Sequence, residues 1–148
     1  MKVDLEARKH LLESAGLRVV DLVWGEPVPE PMAAWRLLIM CSVVPTATVP
    51  IAPRAAHLPA VEAKWEKLAQ DAGIRDSEDG FLISVEGACA DDVRWARVKP
   101  NQPLDLASKL GLDYGNPEFV ATDTAGRNVC GVTSEEYDIW IVKDILKP

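Results

Sequence analysis

The chain has little of what most catalytic and metal sites are built from. It holds three cysteines, Cys41, Cys89 and Cys130, with no C-x-x-C pair, so neither a zinc ribbon nor a thioredoxin-like dithiol is supported. Each sits among apolar or small residues, the setting of a buried, reduced thiol that packs as a small hydrophobe. That usage suits a reducing, cytoplasmic setting. Only two histidines occur, His10 and His57, and the residues four positions on, Ser14 and Val61, are no metal ligands, so no metal or other cofactor is expected. The phosphate-loop and dinucleotide-loop glycine patterns are missing, as are the G-x-S-x-G elbow and H-E-x-x-H. The sequence therefore reads as a non-enzyme.

Long apolar runs are also lacking. The longest uncharged stretch, Leu37 to Pro53, carries Pro45, Pro50 and Pro53 and falls short of the roughly 20 residues a membrane helix needs. Acidic residues at Asp4 and Glu6 stand where a signal peptide needs its apolar core, so no secretion signal is expected. Positive charge is scarce relative to negative. Sixteen Lys and Arg face 23 Asp and Glu, a net charge of −7, which argues against a phosphate-neutralising, nucleic-acid-binding surface.

What is present fits one α+β domain spanning 1–148. Residues 3–15 carry Leu5, Leu11, Leu12 and Ala15 at helical spacing and stop at Gly16. Residues 58–72 form the clearest helix, with Pro59 in the first turn and Val61, Trp65, Leu68, Ala69 and Ala72 as its apolar stripe. A short helix is expected over 103–110. Strands are expected at 17–24, 34–44, 81–85, 93–98, 118–122 and 128–132, the last two joined as a hairpin in which Gly126 takes positive φ. The 34–44 strand is nearly all apolar, as for a strand covered on both faces. Residues 45–57 read as an extended, Pro-rich loop. The C-terminal stretch has strand propensity, but Thr133 with Glu136 matches a capping box, and Tyr137, Trp140, Ile141 and Ile145 follow helical spacing. A helix over 134–146 is the expectation. The sum is an antiparallel or mixed sheet of about six strands with about four helices on it, in a ββα rhythm.

Two features point to function. Residues 71–92 hold seven acids, among them Asp76, Glu78, Asp79, Glu86, Asp91 and Asp92, against Arg75 alone. Turns lie at the surface, so these carboxylates are expected to make an acidic face that meets a basic protein partner. Tryptophan is the second: five, against two Phe and two Tyr. Trp24, Trp35 and Trp95 are candidate anchors or the lining of a small-molecule pocket, with Trp24 and Trp95 expected to be partly exposed. A compact, acidic chain without a catalytic motif is similar in profile to the immunity proteins of bacterial toxin–immunity pairs, whose nuclease toxins are basic because they bind nucleic acid. The profile implies a cytoplasmic inhibitor, monomer or homodimer, that neutralises a basic toxin domain. A regulatory or small-molecule-binding domain with a Trp-lined pocket is the alternative.

Overall fold

The computed structural model describes residues 5–23, 28–40, 43–85, 94–113 and 115–146. In chain order the elements are α1 (Leu5–Ser14), β1 (Leu17–Val23), α2 (Pro31–Ile39), β2 (Ala47–Pro50), a 3-10 turn (Pro53–Ala55), α3 (Leu58–Asp71), β3 (Phe81–Val85), β4 (Trp95–Pro100), α4 (Leu106–Lys109), β5 (Gly111–Asp113), β6 (Asn116–Pro117), β7 (Phe119–Thr122), β8 (Asn128–Ser134) and β9 (Asp138–Ile145). Seven strands form one sheet in the order β1-β4-β3-β7-β8-β9-β2, and every neighbouring pair is antiparallel. The fold is α+β, with one strand more than the six expected. Strands β5 and β6 make a separate short ribbon.

Alternation along the strands divides the core in two. Phe81, Ile83, Val98, Phe119, Cys130 and Ile141 face a larger cluster covered by α1, α3 and α4. Leu82, Trp95, Val120, Val129 and Val142 face a smaller one covered by α2. Trp65 is the hub of the first. It is fully buried, lies edge-on to Phe119 at 5.5 Å, and its indole N–H donates to the Cys130 carbonyl at 3.1 Å, so a ring that large leaves no unmet donor in the core. Helix α1 stops at Gly16, whose φ of +95° and close approach to the Pro103 carbonyl exclude a side chain.

Two expected elements are of the other type. The strand expected at 34–44 is instead helix α2, begun by Pro31 at its first position. A short, fully apolar run fits a buried helix as well as a buried strand. Here Ala34, Trp35 and Leu38 form a stripe that covers the second face of the sheet, while Met32 and Ile39 stay exposed. The helix expected at 134–146 is strand β9. Thr133 is no cap: it lies inside β8, paired with Trp140. Residues 135–137 make the reversal, with the Glu135 N–H donating to the Asp138 carbonyl at 2.9 Å. A local cap contributes about 1 kcal/mol. The seven-residue register from Asn128↔Ile145 to Ser134↔Ile139, which buries Ile139 and Ile141, outweighs it. The Pro-rich 45–57 stretch is likewise not all loop. Residues Ala47–Pro50 add an edge strand to β9, where the missing N–H of Pro50 is tolerated.

Candidate functional site

Helix α3 closes at Gly73 and leads into the turn Asp76–Gly80, which feeds β3. Asp76 builds this turn. Its Oδ1 accepts the Glu78 and Gly80 N–H groups, both at 2.8 Å. Its own N–H donates to the Gly80 carbonyl at 2.9 Å, and its carbonyl accepts the Asp79 N–H at 3.0 Å. The Gly80 N–H above all, then that of Glu78 and the nearby Lys99, hold the Asp76 carboxyl below its ordinary range. Asp79 takes a left-handed φ of +63°, which aspartate tolerates better than most residues. Glu78 and Asp79 are left exposed. The Lys99 ammonium lies 2.7 Å from the Glu78 carboxylate and keeps its pKa low.

Basic groups are mixed with these acids. Arg75 pairs with Glu66 at 3.2 Å, and Lys67, Arg75, Asp76 and Asp79 line a common cleft of about 550 Å³ between α3 and the turn. Val85 and Arg94 bound the segment that carries Glu86, Asp91 and Asp92, and Val85 stands at the far end of β3 from the turn, roughly 13 Å of strand away. Glu86, Asp91 and Asp92 themselves lie outside the described residues.

Trp35 and Trp95 pack in the core. Trp95 is fully buried, contrary to its expected exposure, and its indole donates to the Pro29 carbonyl at 2.7 Å. Trp35 is 7% exposed and donates to Ser84 Oγ at 3.0 Å. Both belong to the core cluster beneath α2. Trp24 lies outside the described residues, as do Cys41 and Cys89. His10 is exposed on α1.

Two sites escaped the sequence reading. A cleft of about 450 Å³ between α1, β1 and β4 is lined by Glu6, Arg8, Lys9, Asp21 and Arg94. Arg8 is 3% exposed, and its guanidinium donates to the Arg94 carbonyl at 2.8 Å and the Ile83 carbonyl at 3.4 Å. Its signal was present: Leu5, Arg8, Leu12 and Ala15 share one helical stripe, so Arg8 sits where an apolar residue belongs. The second site is a groove of about 570 Å³ between α3 and α4, carrying Glu62, Glu66 and Asp105. Burial pushes the Glu62 carboxyl up despite the 2.7 Å hydrogen bond it accepts from the Ala107 N–H.

Among the described residues no group of three or more His, Cys, Asp or Glu is placed to hold a metal, and no helix is long and apolar enough to cross a membrane. No protein-family model, no curated protein and no solved structure matches this chain.

Proposed function

We propose that this chain is a cytoplasmic, non-catalytic binding protein that neutralises a basic protein partner, in the manner of an immunity protein acting on a toxin domain. The observation that carries this reading is the turn Asp76–Gly80. Asp76 spends its carboxylate on two hydrogen bonds of the turn and its backbone on two more, and the result is a fixed loop with Glu78 and Asp79 at the surface. A pre-ordered anionic loop loses little entropy on binding. The exposed Lys99–Glu78 pair contributes little by itself, so a partner's cation can replace Lys99 at small cost. The net charge of −7 extends the attraction beyond the contact and acts on the association rate.

A small-molecule role is the second reading. It moves away from the tryptophans to the α1–β1–β4 cleft, because Arg8 is a buried charge at its wall and the volume falls in the range of ligand sites.

The test compares the parent chain with a variant carrying Glu78→Gln, Asp79→Asn, Glu86→Gln, Asp91→Asn and Asp92→Asn. Asp76 is left in place to keep the turn. The partner is captured by crosslinking in the source cells, purified, and mixed with each form in stopped flow. The expected result is a basic partner whose association slows about tenfold or more at low salt and whose two rates converge at high salt. An acidic partner, or equal rates at low salt, overturns the reading.

A further inference from the structure

We infer that the segment Ile51–His57 is a proton-operated latch: a neutral His57 ring ties it to the β5–β6 ribbon, and charging the ring releases it.

His57 is 5% exposed, and two backbone groups take up both ring nitrogens. Nδ1 stands 3.0 Å from the Ala52 N–H, a group that can only donate. Nδ1 is therefore the acceptor, and Nε2 carries the ring proton. Nε2–H donates to the Gly115 carbonyl at 2.9 Å, a group that can only accept. The two bonds permit one tautomer of the neutral ring and no cation. An imidazolium carries a proton on Nδ1 and turns it toward the Ala52 N–H, donor against donor.

The segment held by this ring is strained. Arg54 and Ala55 are consecutive non-glycine residues at φ of +57° and +60°, a conformation disfavoured for both by their β-carbons. Such strain persists only where neighbouring contacts impose it. Contacts that impose it include the His57 bridge and the Ile51 N–H donated to the Tyr137 carbonyl at 3.1 Å, and Ala55 faces Gly115, where an added β-carbon would stand 3.5 Å from its own. Pro53, Arg54 and Ala56 are exposed, so little buried surface opposes release. The charged groups carried by the surrounding elements are Arg54 in the segment, Glu62, Lys64, Glu66, Lys67 and Asp71 on α3, Asp105 ahead of α4 and Lys109 on it, Asp113 on β5, and Glu135 and Glu136 beside Tyr137. Ala55 shares the α3–α4 groove with Glu62, Glu66 and Asp105, so release of the segment opens one wall of that groove.

The experiment is amide exchange at Ala52, corrected for intrinsic pH dependence, together with the ring nitrogen shifts of His57, read by NMR as the pH is lowered stepwise from about 7.5 to the acid limit of the folded state. The expected result is a fall of about tenfold in Ala52 protection, the size of one lost hydrogen bond, in step with ring protonation. His57→Asn retains an acceptor near the Nδ1 position and cannot charge, so its Ala52 protection is expected to stay flat. A ring that stays neutral to that acid limit, unchanged protection in the parent chain while the ring titrates, an equal fall in His57→Asn, or ring shifts that place the neutral proton on Nδ1 overturns the proposal. The parent's own shifts and exchange decide it even where the variant does not fold.

Discussion

Gly131 of β8 lies directly under Leu38 of α2, so close that a β-carbon on Gly131 would overlap Leu38 Cδ2. The glycine is there for contact: it lets the helix settle onto the second face of the sheet, where Leu38 is 2% exposed. Gly131→Ala is expected to destabilise the protein by about 1–3 kcal/mol through overpacking. Leu38→Ala alone should cost about 2–4 kcal/mol as a cavity. The double variant should cost clearly less than the two together, because each change relieves the other, and urea unfolding of all four forms measures the coupling.

Cys130 offers a pH-dependent test of the larger core cluster. Burial pushes its thiol from 9.0 up to about 12. The folded state thus keeps the thiol neutral where the unfolded state ionises it. Its contribution is fully present below about pH 9 and is lost as pH rises from there toward 12, at about 1.4 kcal/mol per pH unit. Stability of the parent chain should fall faster between pH 8 and about pH 10.5 than that of Cys130→Ala, which removes this titration and leaves all others. At neutral pH a thiol reagent should modify Cys130 only after denaturant is added. Parallel pH slopes for the two proteins, or rapid native labelling at Cys130, would contradict its placement.

Side chains take up backbone N–H groups at both margins of the sheet. At β1, Asp21 Oδ1 accepts the Leu22 N–H at 2.8 Å, next to a bulge at Val20. Beyond the end of β2, Thr46 Oγ1 accepts the Lys143 N–H and Asp144 Oδ1 the Ile145 N–H, both at 2.8 Å. These groups would otherwise template another strand. Replacing Asp21 and Asp144 together by Ala is expected to raise the average mass with concentration in sedimentation velocity. Replacing both by Asn removes the same charge but keeps the acceptor, and should behave as the parent does. Association of the Asn pair to the same extent would assign the effect to charge.

Local signals were read well where local chemistry decides. The stripe through Val61 and Trp65 defines α3, and Gly126, at φ +73° with its N–H on the Asp123 carbonyl, makes the β7–β8 hairpin turn that its sequence announces. Misreadings came where a distant segment decides. Pro31–Ile39 is apolar enough for either structure and is a helix because the sheet's second face needs cover. Asp138–Ile145 is a strand because β8 offers a seven-residue partner. The candidate site was legible as composition but not as geometry: nothing in a charge count marks Asp76 as the residue that builds the turn and leaves Glu78 and Asp79 at the surface. The burial of Trp95 was hidden by Arg94 and Arg97 close by in sequence; Arg97, two positions on, shares the strand face of Trp95 yet is itself half-buried, so its charge did not mark an exposed face.

The order of the strands has a consequence for biosynthesis. Both edge strands, β1 and β2, come from the first 50 residues, and the five strands between them from residues 81–145. On the ribosome the borders emerge before the interior exists, so β1 waits for β4 and β2 for β9. The central five strands can assemble from three hairpin-like pairings, β3–β4, β7–β8 and β8–β9, closed by β3–β7. The N-terminal third is then recruited backward onto a finished template. Its apolar helix α2 spends that interval without the sheet face that covers it, so the synthesis of residues 51–145 is the period in which Ala34, Trp35 and Leu38 lack their cover.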